Sequence, residues 1–360
     1  MSRSGKMMSS DAAAAFSLSC PLPLNGSDRI LLGHGSGGRM TADLITRCFL
    51  PAFRNEHLAK LDDQAVVDVG GVRLAFSTDA YVVTPLFFPG GDIGDLAVNG
   101  TVNDLAMSGA RPLYLAAAFI LEEGFPLADL ERIVTSMSKA AANADVLLVT
   151  GDTKVVDRGK ADGCFVTTTG VGVVEHAQTI SADRARPGDV VILSGPIAEH
   201  GMAIMAARAD LELETPVASD TAPLHRLVHD MLATGATIHC LRDPTRGGVA
   251  TALNELAHRA AVGIVLDEAA FVVREPVRGV CELLGLDPLY VANEGKLLAI
   301  VPATDAGRVL DAMRRHPQGR EACAVGEVVE DNARLVVLKT TVGGRRIVDM
   351  LQGEQLPRIC

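Results

Sequence analysis

The residues of this sequence whose types and spacing suit chemistry are carboxylates, amides, glycines and a thiol at its very end. Between Ser77 and Arg111, Asp95, Asn99 and Asn103 recur at i, i+4 and i+8. They therefore share one polar face of an otherwise Ala/Leu/Val/Met helix, with Asp104 beside them. Asp79 ends the apolar strand that precedes this helix, and Pro89-Gly90-Gly91-Asp92 leads into the helix N-terminus. There the unpaired N–H groups and the helix dipole favour an anion. Carboxylates around such a site repel a phosphate unless a hard cation lies between them, and Mg²⁺ takes oxygen ligands of this kind. The pattern predicts a metal–nucleotide site. A strand-end turn for Asp79 and a solvated helix face for Asp104 are the competing uses, and the convergence of several such residues favours the site.

Other stretches add to it. Gly33-His34-Gly35-Ser36-Gly37-Gly38-Arg39 places four glycines in six positions, a loop that cannot pack but can fold over something. It reads as a phosphate-covering flap or as a plain flexible loop. Asp62 and Asp63 stand just before a strand and form a second metal-facing pair. A strand over 146–149 runs out on Thr150-Gly151-Asp152-Thr153-Lys154, which offers a carboxylate, a hydroxyl and an ammonium at one sheet edge. That set suits a polyphosphate, and a hairpin turn with a solvated lysine is the alternative. Asp243, before Pro244, suits a helix-start turn. The sequence stops on Cys360, a thiol on a tail of about ten residues. At roughly 3.3–3.6 Å per residue such a tail reaches ~30 Å or more, far enough to hand a group between sites.

The elements that must position these residues are expected to start near Arg29, after an N-terminal extension over 1–28 read as disordered. Helices are expected over Thr41–Phe49 and Leu127–Asn143, with a strand over Leu113–Leu121 and Cys164–Val174 as the last strand of the first half. The turn Arg186-Pro187-Gly188-Asp189 marks a boundary. The organisation is an N-terminal domain over 29–176, a second domain over 180–345 and a mobile tail over 346–360. Neither half alternates strictly between strand and helix, so the fold class is α+β. A net charge of −11, 4% aromatic residues and no Trp exclude a basic or base-stacking surface, and with it nucleic acid as a partner. No apolar run approaches a membrane-spanning length. Seven scattered cysteines without a CxxC pair fit a reducing cytoplasm.

Taken together, GHGSGGR, LDDQAV, STDAYVVTP, GDIGDLAVNGTVNDLAMSGARP, TGDTK, RDPTRGGVATALNELA, NEGKL and the terminal PRIC resemble the hydrogenase maturation factor family HypE. That family lies in the ATP-binding superfamily of aminoimidazole ribonucleotide synthetase and selenophosphate synthetase. The resemblance runs from about Ile30 to Cys360. It implies a fold like aminoimidazole ribonucleotide synthetase, whose N-terminal sheet closes into a dimeric β-barrel, and a homodimer binding ATP and Mg²⁺. It places metal ligands at Asp63, Asp79, Asp104 and Asp243, and phosphate contacts at Gly35, Ser36, Gly37, Gly38, Asn103, Asp152 and Thr153. The implied reaction is ATP-driven dehydration of an S-carbamoyl group on Cys360 to a thiocyanate, with Glu294 as base and Lys154 stabilising the phosphorylated oxygen. The implied partners are a HypF-like carbamoyltransferase and a HypC–HypD-like iron scaffold. The alternatives are the two sister synthetases or a nucleotide-binding scaffold without turnover. A flap without a thiol disfavours selenophosphate synthetase, and a terminal cysteine disfavours aminoimidazole ribonucleotide synthetase.

Overall fold

A computed structural model describes residues 29–360 apart from 210, 212–215, 332, 354, 355 and 357. The extension expected over 1–28 lies outside the described residues. The first half opens with α1 (Arg39–Leu44), a π-helical turn over Ile45–Phe49 and α2 (Leu50–Phe53). Strands β1 (Ala65–Val69) and β2 (Val72–Tyr81) follow, then the short pair β3 (Phe87–Phe88) and β4 (Gly91–Asp92). Helix α3 (Ile93–Ala106), β5 (Arg111–Glu122), α4 (Leu127–Asn143), β6 (Leu147–Val156) and β7 (Cys164–Val173) complete it. The strands order as β1-β2-β7-β5-β6. Although it is the last strand of this half in sequence, β7 lies in the middle of the sheet, antiparallel to both β2 and β5. The α4 crossover makes β6 parallel to β5 and leaves it at the edge.

That pairing corrects one expectation. Asp152, Thr153 and Lys154 lie inside β6 rather than beyond its end, because the ladder with β5 continues through Ala118–Asp152 and Ile120–Lys154 to Glu122–Val156. Polar residues are tolerated there because an edge strand has one side free.

The second half runs β8 (Asp189–Leu193), α5 (Glu199–Arg208), α6 (His225–Ala233), β9 (Cys240–Arg242), α7 (Gly248–Ala260), β10 (Gly263–Asp267) and α8 (Glu275–Leu284). It ends with β11 (Leu298–Pro302), α9 (Ala303–Arg315), β12 (Cys323–Val329), β13 (Val336–Lys339) and β14 (Arg345–Ile347). Seven strands order as β14-β13-β10-β12-β8-β11-β9. Sequence reading misses β12 because Gly326 interrupts its apolar run. The glycine is needed: a Cβ there would lie 2.4 Å from the Val265 carbonyl oxygen, beside a bulge in the ladder with β8. The result is an α+β fold of two domains, as expected, and the passage from one sheet to the other falls between Val173 and Asp189.

Helix α3 is the element on which the site is built. Asp92 caps it, accepting from the Gly94 and Asp95 N–H groups at 2.8 and 3.1 Å. Nearly every residue is buried, because the first sheet lies on one side while α4 and α6 close the others. Gly100 admits the Tyr81 hydroxyl, which a Cβ would meet at 2.2 Å. One apolar cluster runs from Ile93 and Leu96 through Ile133 and Met202 to Ile359 near the chain end. The tail is thereby part of the core that joins the two halves.

Candidate active site

The polar stripe of α3 finds its partner in the second domain. Asn99 donates to Asp95 Oδ1 and to Thr221 Oγ1, both at 3.1 Å. Asn103 donates to the carbonyls of Ala222 and Glu294, both at 3.1 Å, and accepts from the Leu224 N–H at 2.8 Å. Asn103, expected to contact phosphate, is buried here with its amide bonded to three backbone groups. It fastens the two halves together and holds the backbone of Glu294.

The carboxylates of Asp63, Asp104 and Asp243 come together, each offering an oxygen within 4.8 Å of the others. They line a cavity of about 750 Å³ with Gly37, Asp79 and Arg246. Asp104 accepts from Ser77 Oγ at 2.6 Å, and Asp63 pairs with Arg242 at 3.0 Å, which in turn reaches Glu255 at 2.5 Å. Burial raises all three carboxyls. Asp63 and Asp104 are held well above the usual carboxylate range and Asp243 is pushed up to about 6, with mutual repulsion adding to each. Asp79 contributes to that repulsion and accepts from the Tyr81 hydroxyl at 3.3 Å. Buried oxygens that repel one another, with Arg242 and Arg246 in partial compensation, fit a hard divalent cation. The pair Asp62–Asp63 divides. Asp63 faces the cluster, while Asp62 accepts from Ser181 Oγ at 2.8 Å and the Ala182 N–H at 3.2 Å and is structural.

The glycine-rich loop lies over this cavity. Gly37 has φ +79°, and a Cβ on it would sit 2.7 Å from Arg246 Cβ. A Cβ on Gly38 would meet the Leu351 carbonyl oxygen at 2.2 Å, and that carbonyl accepts from the Arg39 N–H at 2.7 Å. Ser36 Oγ donates to the Gly33 carbonyl at 2.8 Å, and the Gly35 carbonyl accepts from Arg246 at 3.4 Å.

The NEGK stretch is locked from several sides. Asn293 accepts from the Ala198 N–H at 2.7 Å and donates to the Pro244 carbonyl at 2.9 Å, tying it to the Asp243 turn. The Glu294 N–H donates to Asp220 Oδ1 at 3.1 Å. Gly295 leaves room for the Asp220 carbonyl oxygen, which a Cβ would approach to 1.8 Å. Lys296 clamps Asp220 at 2.9 Å and Glu199 at 3.2 Å. Glu294 itself is buried, its Oε1 has no hydrogen-bond partner, and its carboxyl is held well above the usual range by burial, Asp243 and Asp220.

Cys360 is brought to the same place. Its carbonyl accepts from the Val82 N–H at 3.0 Å, one residue past the end of β2 and three past Asp79. Burial pushes its thiol up to about 12, with Glu294 and Asp79 adding and Arg246 opposing. Thus Asp63, Asp79, Asp104, Asp243 and Gly37 line one cavity, and Glu294 and Cys360 lie within electrostatic reach of it. Asp152, Thr153 and Lys154 do not line the cavity. Lys154 pairs with Asp152 at 2.7 Å on the exposed face of β6. Sequence reasoning missed Arg242 and Arg246, whose signal was their position flanking Asp243, and His200 and Asp220, which carry no local signal.

The chain matches the AIR synthase related protein N-terminal domain over 61–174 and the corresponding C-terminal domain over 186–338. It is 60% identical over 340 residues to the carbamoyl dehydratase HypE of Cupriavidus necator, covering 94% of this chain and 97% of that one. A solved structure of hydrogenase maturation protein HypE in complex with ATP matches at TM-score 0.78 and 50% identity, over 92% of this chain and all of the other. A HypE–HypF complex matches at TM-score 0.81 and 47% identity, over 86% of this chain and 99% of that one.

Proposed function

The chain belongs to the HypE carbamoyl dehydratase family of AIR synthase-related proteins, and from that membership we propose how its own residues carry the reaction. The enzyme uses ATP to dehydrate an S-carbamoyl group on Cys360 and so serves hydrogenase maturation. In S–C(=O)–NH₂ the oxygen is a poor leaving group. Taking the γ-phosphoryl group of ATP turns it into phosphate, which departs as the nitrogen loses two protons, and the product is a thiocyanate, S–C≡N.

Glu294 is the base. What supports this is its unpartnered, buried Oε1, held within electrostatic reach of Cys360 by a backbone fixed at both its N–H and its carbonyl. Arg246, whose charge favours the ionised form of Glu294, balances the surrounding carboxylates. Asp63, Asp79, Asp104 and Asp243 are the residues that would hold Mg²⁺, which would neutralise charge developing on the transferred phosphoryl group. Gly35, Ser36, Gly37 and Gly38 cover the phosphates and, with the tail seated, exclude water from the intermediate.

The enzyme works as a homodimer. Edge strand β6 exposes Leu147, Leu148, Val149 and Val155, and the outer face of the first sheet exposes Phe76 and Tyr114, a surface suited to a second copy. Asp152, Thr153 and Lys154 lie on that strand and reach the nucleotide across the subunit contact. A HypF-type carbamoyltransferase loads Cys360, in keeping with the HypE–HypF complex among the similar structures. A HypC–HypD-like iron scaffold takes the cyanide. The compartment is the cytoplasm, where ATP is available; the six described cysteines are free, and no described helix is long and apolar enough to cross a membrane.

The observation that carries this reading is the docking of the Cys360 backbone on the Val82 N–H at 3.0 Å, three residues past Asp79, which puts its thiol within electrostatic reach of Glu294, Asp79 and Arg246. Mass analysis of the C-terminal peptide, after incubation with a carbamoyl donor system and ATP, tests it. A gain of one carbamoyl followed by loss of one water is expected, and a peptide that stays unmodified overturns it. Cys360→Ala should bind ATP normally and form no product.

A further inference from the structure

The last residues are received as an added strand. The Val82 N–H donates to the Cys360 carbonyl at 3.0 Å and the Thr84 N–H to the Arg358 carbonyl at 3.1 Å, an antiparallel pairing of 82–84 with 358–360. Arg358 returns a bond from Nε to the Val82 carbonyl at 3.0 Å, pairs with Asp162 and lies over the Phe165 ring at 5.8 Å. Arg208 donates to the carbonyls of Thr84 and Arg358, bracing both strands. Ile359 is buried, and its carbonyl lies 2.6 Å from His200 Nε2.

The state of His200 follows from its neighbours. The Ile359 carbonyl can only accept, so Nε2 must carry a proton, while Nδ1 faces Ser219 Oγ at 2.8 Å, an oxygen that also takes the Thr221 N–H at 3.1 Å. Nδ1 therefore accepts, and the proton of the neutral ring sits on Nε2, aimed at the Ile359 carbonyl. His200 is fully buried, and nothing in the reaction just described uses it.

We propose that this groove is a recognition site for a C-terminal Arg-apolar-Cys tripeptide, in which Asp162 reads the arginine and His200 is the positioning residue that sets the depth of the thiol. The site rests on Cys360 being the carrier, yet it can be tested without that chemistry. The groove selects by backbone pairing and by the arginine, so a carbamoyl or nitrile group on sulfur leaves every recognised atom unchanged. The same seat thus accepts the tail before and after reaction, and release depends on the latch rather than on the product.

The test is the rate at which a maleimide modifies Cys360 in the full-length protein, read from the mass of the C-terminal peptide. His200→Leu removes the donor and orphans a buried carbonyl, and should speed labelling about tenfold. His200→Gln keeps an N–H and should label close to the wild-type rate, a rescue that a merely structural histidine would not give. Arg358→Leu, which alters only the tail and leaves the folded body intact, should also speed labelling several-fold, with ATP affinity unchanged. Labelling of either His200→Leu or Arg358→Leu at the wild-type rate overturns the proposal, as does His200→Gln labelling as fast as His200→Leu. A Cys360 that is never carbamoylated would sink the reaction assigned above while leaving these labelling rates as expected.

Discussion

Glu294 is costly to the fold, buried with an unpartnered oxygen, and on the proposed mechanism it is the base of the reaction. Its carboxyl is raised well above the usual range, so the folded chain holds a proton that the unfolded chain releases. That stabilisation is complete below about pH 4.3 and disappears as pH rises through the folded value. Glu294→Gln removes the titration and should lower dehydration at least ~100-fold while sparing ATP binding. Its melting temperature, measured by scanning calorimetry, should exceed that of the parent by a margin that widens as pH increases. The aspartate cluster has the same sign: Asp243, at about 6, and its raised neighbours favour the protonated fold at low pH. A divalent cation competes with those protons. Magnesium chloride should therefore raise the melting temperature more at about pH 7.5 than at about pH 5.5. A shift independent of pH would remove these carboxylates as the ligands.

At the scale of elements, α3 is a beam between the first sheet and helices α4 and α6, and Asn103 is its bolt to the second domain. Asn103→Ala strips partners from the Glu294 and Ala222 carbonyls and the Leu224 N–H. It should cost about 2–4 kcal/mol in urea unfolding, with catalysis falling because Glu294 loosens. The helix and its polar spacing were legible in the sequence, since i, i+4, i+8 fixes a face. What the face met was not legible, because a loop more than a hundred residues away supplies Thr221 and Ala222. The carboxylates were legible for a related reason: Asp63 before β1, Asp79 near the end of β2, Asp104 in the last turn of α3 and Asp243 just after β9 all stand where elements begin or end. His200 was invisible because its partners, Ser219 and Ile359, meet it only in the folded chain. Lys154 was misplaced to a strand end because Gly151 looks like a terminator. In the ladder Gly151 instead admits the Ala117 carbonyl oxygen, which a Cβ would approach to 2.2 Å.

For the whole molecule, the first sheet leaves one long edge uncovered. Val149 on β6 is 57% exposed, so Val149→Glu should leave the folded subunit intact while disfavouring association. Sedimentation should report a monomer, and turnover should fall if Lys154 acts across the subunit contact. Full activity in a monomeric Val149→Glu variant would return Asp152, Thr153 and Lys154 to the status of a solvated ladder edge. The seam between the domains has a further consequence. Asp79 near the end of β2 and the Val82 N–H just beyond it tie the cation-facing rim and the incoming thiol to one short run of backbone. On the proposed mechanism the gap between phosphate and sulfur is therefore gauged in part by chain length, and adding or deleting one residue between 79 and 82 would turn the side chains of the extended run that follows to the opposite face. That run should tolerate substitution far better than any change in spacing.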